Sequence, residues 1–108
     1  MTVKSKTIRV AIVEDDDEIR ADLARRIGLN SAYSLVKSFA NAESALSELP
    51  HLNPDVVLMD INLPGLDGVE CVRQLKSKMQ GVQFMMLTIY EDGDRLFKSL
   101  IAGASGYL

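Results

Sequence analysis

The sequence predicts a doubly wound α/β domain, a parallel sheet with helices on both faces. Three observations predict it. Apolar runs of strand length alternate with segments of helical periodicity along the chain. One run, Val56-Val57-Leu58-Met59, is apolar on both faces, as a strand in the middle of a parallel sheet is. The connections have the length of helical crossovers, and such crossovers join parallel strands.

The elements follow in order. Residues 1–7 read as a short disordered lead, with the domain running from 8 to 108. Ile8 to Val13 is a β-branched run and the first strand. It runs into Glu14-Asp15-Asp16-Asp17-Glu18, where Asp16 or Asp17 can cap a helix. Ile19, Leu23 and Ile27 recur every four residues and give that helix its apolar stripe, with its stop at Gly28 or one residue on at Leu29. Tyr33 to Phe39 is the second strand. Asn41 caps a short helix carrying Ala42, Ala45, Leu46 and Leu49, and Pro50 is expected to end it.

The third strand closes on Asp60, and Pro64-Gly65 breaks the chain after it. Asp67 caps a third helix with Val69, Val72 and Leu75 on its apolar face, and Gly81 breaks it. Val82 to Leu87 is a fourth buried strand that ends at Thr88. Leu96, Phe97, Leu100 and Ile101 mark a further helix, and Tyr107-Leu108 opens a fifth strand. The expectation is a domain truncated at its C-terminal end, with the rest of the fifth strand and a last helix beyond Leu108.

Composition narrows the function. The chain has 108 residues, 47% hydrophobic and 25% charged, which suits one globular domain with a single core. A formal net charge of -3 leaves no electrostatic footprint for nucleic acid or an anionic membrane. Cys71 is the lone cysteine, so no internal disulfide forms. With no apolar run of membrane-spanning or signal-peptide length, the expected location is the cytoplasm. Cys71 lies near the apolar stripe of its helix and reads as a small buried hydrophobe, and His51 reads as a loop residue on the surface.

Ligands bind open α/β sheets at the carboxyl ends of their strands. The first strand delivers Glu14, Asp15 and Asp16 there, the third Asp60 and the fourth Thr88. If the first and third strands are neighbours, Asp15 and Asp60 lie within several ångströms. Two carboxylates about 4 Å apart repel by about 4 kcal/mol at an effective dielectric of about 20. A protonated carboxyl, a basic side chain or a cation can relieve that. No Lys or Arg is obviously placed at this edge, which favours a cation. The donors are all oxygens, which selects a hard ion, Mg²⁺ ahead of Mn²⁺ or Ca²⁺.

Each of these residues has a plainer reading. Asp60 alone could be a helix cap, but Asp67 fits that task better. Asp17 and Glu18 suit a solvated acidic face, and Asp16 stays open between cap and site. Thr88 alone would be a strand-end hydroxyl bonding backbone, and Tyr107 half-buried packing.

Four motifs in order carry a family resemblance. They are Val13-Glu14-Asp15-Asp16, the run from Leu58 to Gly68 (Leu-Met-Asp-Ile-Asn-Leu-Pro-Gly-Leu-Asp-Gly), Leu87-Thr88-Ile89-Tyr90-Glu91-Asp92, and Ala102-Gly103-Ala104-Ser105-Gly106-Tyr107-Leu108. From about Ile8 to Leu108 the chain resembles the receiver domain of two-component response regulators. The last two motifs are similar to the subfamily joined to a LuxR-type helix-turn-helix output domain. The resemblance implies a flavodoxin-like sheet of five strands in the order 2-1-3-4-5.

It also implies roles. Asp60 is the phosphoacceptor, taking a phosphoryl group from a sensor histidine kinase. Asp15 binds Mg²⁺ directly, Glu14 assists, and Asp60 and the backbone carbonyl of Asn62 complete the protein ligands. Thr88 bonds the phosphoryl group, and Tyr107 is the switch aromatic. Such a domain is not a conventional enzyme, since it catalyses its own phosphorylation and slow dephosphorylation. The implied partners are the kinase, a second copy in a homodimer, and DNA only through an output domain outside this chain, with no membrane. Departures bear on rate: Ile89 stands where the family often has Ala, and a bulky Tyr90 suggests slow loss of the phosphoryl group. The family lysine of the fifth strand would fall two residues past Leu108. That lysine and Ile89 motivate the alternative of a protein-interaction module independent of phosphate. An aspartyl phosphatase fits less well, because its motif follows the first strand. A flavodoxin fits less well too, because Glu14 and Asp15 would repel its phosphate.

Overall fold

A computed structural model describes residues 7–87 and the backbone of 106–107. Its elements are β1 (Ile8–Val13), α1 (Asp17–Gly28), β2 (Tyr33–Phe39), α2 (Ala42–Leu52), β3 (Val56–Asp60), α3 (Gly68–Lys78), β4 (Gln83–Leu87) and β5 (Gly106–Tyr107). The strands form one sheet in the order β2-β1-β3-β4-β5, and every pair is parallel. That is the expected doubly wound topology with β3 at the centre.

Alternation along the strands divides the core in two. Ala11, Val13, Val57, Met59, Phe84 and Met86 point to one face, where Ala45 and Leu49 of α2 and Val72 and Leu75 of α3 pack on them. Val10, Ile12 and Leu58 point to the other face, against Leu23, Ala24 and Ile27 of α1. Met85 is half-buried on this second face and only Met86 belongs to the first, so the two methionines do not share one core.

β2 serves both faces through an irregularity. Its register against β1 shifts between Val10 and Ala11, so that Val10 pairs with Leu35 and Ala11 with Lys37. Val36 is the extra residue, a β-bulge. Tyr33 and Leu35 therefore share the α1 face with Ile8 and Val10, while Phe39 turns into the core beneath α2.

The helices begin where the sequence places their caps. Asp16 accepts hydrogen bonds from the backbone N–H groups of Glu18 and Ile19, Asn41 from Ser44, and Asp67 from Glu70. Asp16 is thus the cap of α1. Pro50 does not end α2, contrary to expectation. It lies inside the helix, which continues to Leu52. Proline removes one backbone donor there, but Leu49 is fully buried and Leu52 packs on the same core, which holds the last turn in place. Asn53 ends the helix in the left-handed region, φ 49°, with its N–H on the Leu49 carbonyl at 3.2 Å. Cys71 is fully buried, as read from the sequence. His51 is exposed as expected, but it lies in the last turn of α2 rather than in a loop, because the helix runs on past Pro50.

Candidate functional site

The β1–β3 register sets the site. Val13 lies opposite Met59, so the next residues along, Glu14 and Asp60, emerge side by side at the carboxyl edge. Glu14, Asp15 and Asp60 each bring a carboxylate oxygen within 4.8 Å of the others. Sequence placed these three residues together, and the structure brings them together.

Their environments differ. Asp15 is exposed, Asp60 half-buried, and Glu14 only 3% exposed. Burial pushes the Glu14 carboxyl up from 4.5 to about 8, and a hydrogen bond and negative charge from Asp60 push the same way. In the metal-free protein, a proton on Glu14 therefore relieves part of the carboxylate repulsion at neutral pH.

The backbone around the cluster is fixed from several sides. The Glu14 N–H donates to the Phe39 carbonyl at 3.0 Å. The Asn62 N–H donates to Asp60 Oδ1 at 3.1 Å, which folds the loop after β3 back onto the acceptor position. Glu43 of α2 accepts from the Leu66 N–H at 3.2 Å and so ties the same loop to the next helix.

Gly68 makes the tightest fit. A Cβ built on it would lie 1.9 Å from the Asp60 carbonyl oxygen, so the first residue of α3 rests directly on the Asp60 peptide. The motif contains Gly68, but no sequence pattern announces this contact. Arg20 corrects the expectation that no basic side chain reaches this edge. Its Nη1 donates to the Glu14 carbonyl at 2.9 Å. The signal was its place one turn into α1, since helical side chains lean toward the N-terminus. Arg20 binds backbone there and forms its ion pair with Asp17.

Thr88 lies outside the described residues. Of Tyr107 the backbone alone is described, in register with Met86 on β4. Asn62 stands beside Asp60 through its N–H.

The acidic edge and the strand order carry the comparison with known proteins. A profile of the response regulator receiver domain matches residues 10–108. This chain belongs to that family. It is 35% identical over 101 residues to the transcriptional regulatory protein LnrK of Bacillus subtilis (strain 168), covering 94% of this chain and 46% of LnrK. The chain thus spans about half the length of the curated relatives it matches. Among solved structures, a LuxR-family two-component response regulator from Aurantimonas sp. SI85-9A1 superposes with a TM-score of 0.88 at 30% identity, over 94% of this chain and 73% of that one. The response regulator domain of Thermotoga maritima CheB superposes with a TM-score of 0.87 at 27% identity, over 95% and 78%. The domain is therefore a receiver of two-component response regulators. Among the described residues, no helix is long and apolar enough to cross a membrane.

Proposed function

We propose that this receiver domain accepts a phosphoryl group on Asp60 from a sensor histidine kinase and passes the change to a transcriptional output domain outside residues 8–108. The observation that carries the reading is the convergence of Glu14, Asp15 and Asp60 at one strand edge. An Asp60 oxygen attacks the phosphorus, the new O–P bond forms as the P–N bond to the donor imidazole breaks, and the freed imidazole takes a proton from solvent. The identities of the relatives, transcriptional regulators among them, support the output. A second copy of the chain is the partner we assign to the output-competent state.

The donor set fits a divalent cation. Three carboxylates within 4.8 Å, one of them buried and disfavoured as an anion, form a cluster whose charge a hard ion would offset. Asp15, Asp60, Glu14 and the Asn62 carbonyl would hold Mg²⁺, or Mn²⁺ in its place. The ion would supply charge neutralisation for the phosphoryl oxygens. Asp60 supplies the attacking oxygen, and the Asn62 N–H orients its carboxylate. In this reading Thr88 donates to the transferred group and Tyr107 reports its arrival.

Acetyl phosphate with Mg²⁺ should add one phosphoryl group to the parent and none to Asp60→Asn, as read by intact-mass spectrometry. Equal labelling of the two proteins would overturn the assignment. A second reading is an interaction module independent of phosphate, motivated by Ile89 where receiver domains often carry Ala. Millimolar Mg²⁺ that leaves the Asp15 and Asp60 amide signals unmoved would select it.

A further inference from the structure

We propose that Arg20 is a positioning residue that holds the Glu14–Asp16 loop in its metal-binding shape by clamping the Glu14 carbonyl. The proposal rests on the phosphoacceptor reading above and deepens it.

Glu14 and Asp15 leave the sheet at the end of β1, where the strand's own pairing stops. Past that point the loop needs other anchors, because both residues must present carboxylates to Asp60. On one side, the Glu14 N–H is held by Phe39 of β2 at 3.0 Å. On the other, Asp16 is committed to α1, accepting from Glu18 at 2.9 Å and Ile19 at 3.0 Å. The peptide between them carries the Glu14 carbonyl, and Arg20 Nη1 donates to it at 2.9 Å. Among the described residues, no other Lys or Arg side chain bonds the main chain of Glu14, Asp15 or Asp16.

Helix geometry puts Arg20 there. It is the fourth residue of α1, and its backbone N–H bonds the Asp16 carbonyl at 2.9 Å. A long side chain in that place leans back over the first turn toward the loop. Its other nitrogen, Nη2, pairs with Asp17 at 2.5 Å. The Asp17 side chain is 88% exposed against 21% for Arg20, so the carbonyl contact is the sheltered half of the fork and the ion pair the solvated half. Lysine, a single point donor, cannot reproduce both.

The prediction separates these two halves. Groups that orient metal ligands typically change affinity by roughly 10- to 100-fold when removed. Arg20→Gln should therefore weaken Mg²⁺ binding by roughly 10-fold, read as the midpoint of an NMR titration of the full chain. Hydrogen exchange at the Glu14 amide, which bonds the Phe39 carbonyl, should quicken in the metal-free protein, with Val57 and Met59 unchanged. Arg20→Lys should recover part of the affinity, and Asp17→Asn should leave it at the parent value. The clamp is wrong if Arg20→Gln binds Mg²⁺ like the parent, or if Asp17→Asn loses as much. It is also wrong if exchange at the Glu14 amide does not change. A parent chain that takes up no Mg²⁺ sinks the phosphoacceptor reading instead, and the exchange measurement then decides alone whether Arg20 holds the loop.

Discussion

The two faces of the sheet are built to different tolerances. On the face under α2 and α3, Ala45, Leu49, Val72, Leu75, Phe84 and Met86 are all without exposed surface. On the face under α1, no residue of the helix is fully buried, and Leu23, Ala24 and Ile27 are only partly covered. An apolar groove of about 350 Å³ opens there between Ile8, Val10, Ile27, Tyr33, Val56 and Leu58. Ile8, Tyr33 and Leu35 on this face, and Leu29 at the end of α1, are the exposed large hydrophobics among the described residues. The acceptor site is anchored mainly to the closed face: Met59 precedes Asp60 into that core, and α3 rests on the Asp60 carbonyl through Gly68. The lesson is that the rigid half of the domain sets where Asp60 stands, while the open half carries the loop that Arg20 has to hold.

The contrast can be broken by substitution. Gly68→Ala should have the largest effect, because the new methyl must displace the Asp60 backbone rather than a pliant side chain. Overpacking usually costs 1–3 kcal/mol, and this case should reach about 3 kcal/mol or more in urea unfolding. A loss under about 1 kcal/mol would mean that α3 and β3 separate easily. A matched pair tests the faces themselves. Leu75→Ala on the closed face should cost about 2–5 kcal/mol, and Leu23→Ala on the open face about 1 kcal/mol. Equal losses would show that the open face is packed in solution as tightly as the other.

The last test is a pH dependence local to Glu14. Its folded carboxyl titrates near 8 against an ordinary 4.5, so folding favours the protonated form. The resulting stability is fully present below about 4.5 and is lost as pH rises toward and through 8. The metal-free protein should therefore melt at progressively lower temperature from pH 5 to pH 8, and Glu14→Gln should flatten that trend. Mg²⁺ should oppose it by favouring the ionised carboxylate. A parent profile that matches Glu14→Gln would remove the raised carboxyl.

Much of this was legible in the sequence because it is local. The caps at Asn41 and Asp67 follow from one side chain and the next few backbone donors. Asp60 at a strand end follows from an apolar run and a turn. What escaped depends on distant parts of the chain. The shelter of Glu14 requires its N–H to meet Phe39, and the contact at Gly68 requires α3 to land on β3. Arg20 escaped because its reach depends on where α1 starts, which the run of acids left open between Asp16 and Asp17. Pro50 misled because its local preference is overruled by the burial of Leu49 and Leu52 against the core. The bulge at Val36 has no marker in Tyr33 to Phe39, and it is what sends Tyr33 and Phe39 to opposite faces.

Two glycines that look alike in the sequence carry different histories. Gly28 has nothing within 4 Å of where a side chain would start, whereas Gly68 has the Asp60 carbonyl at 1.9 Å. In a library of random variants recovered for folding, position 28 should drift freely and position 68 should return as glycine. A residue defined by the atom it lacks then records, in any collection of surviving descendants, how close the neighbouring peptide must come.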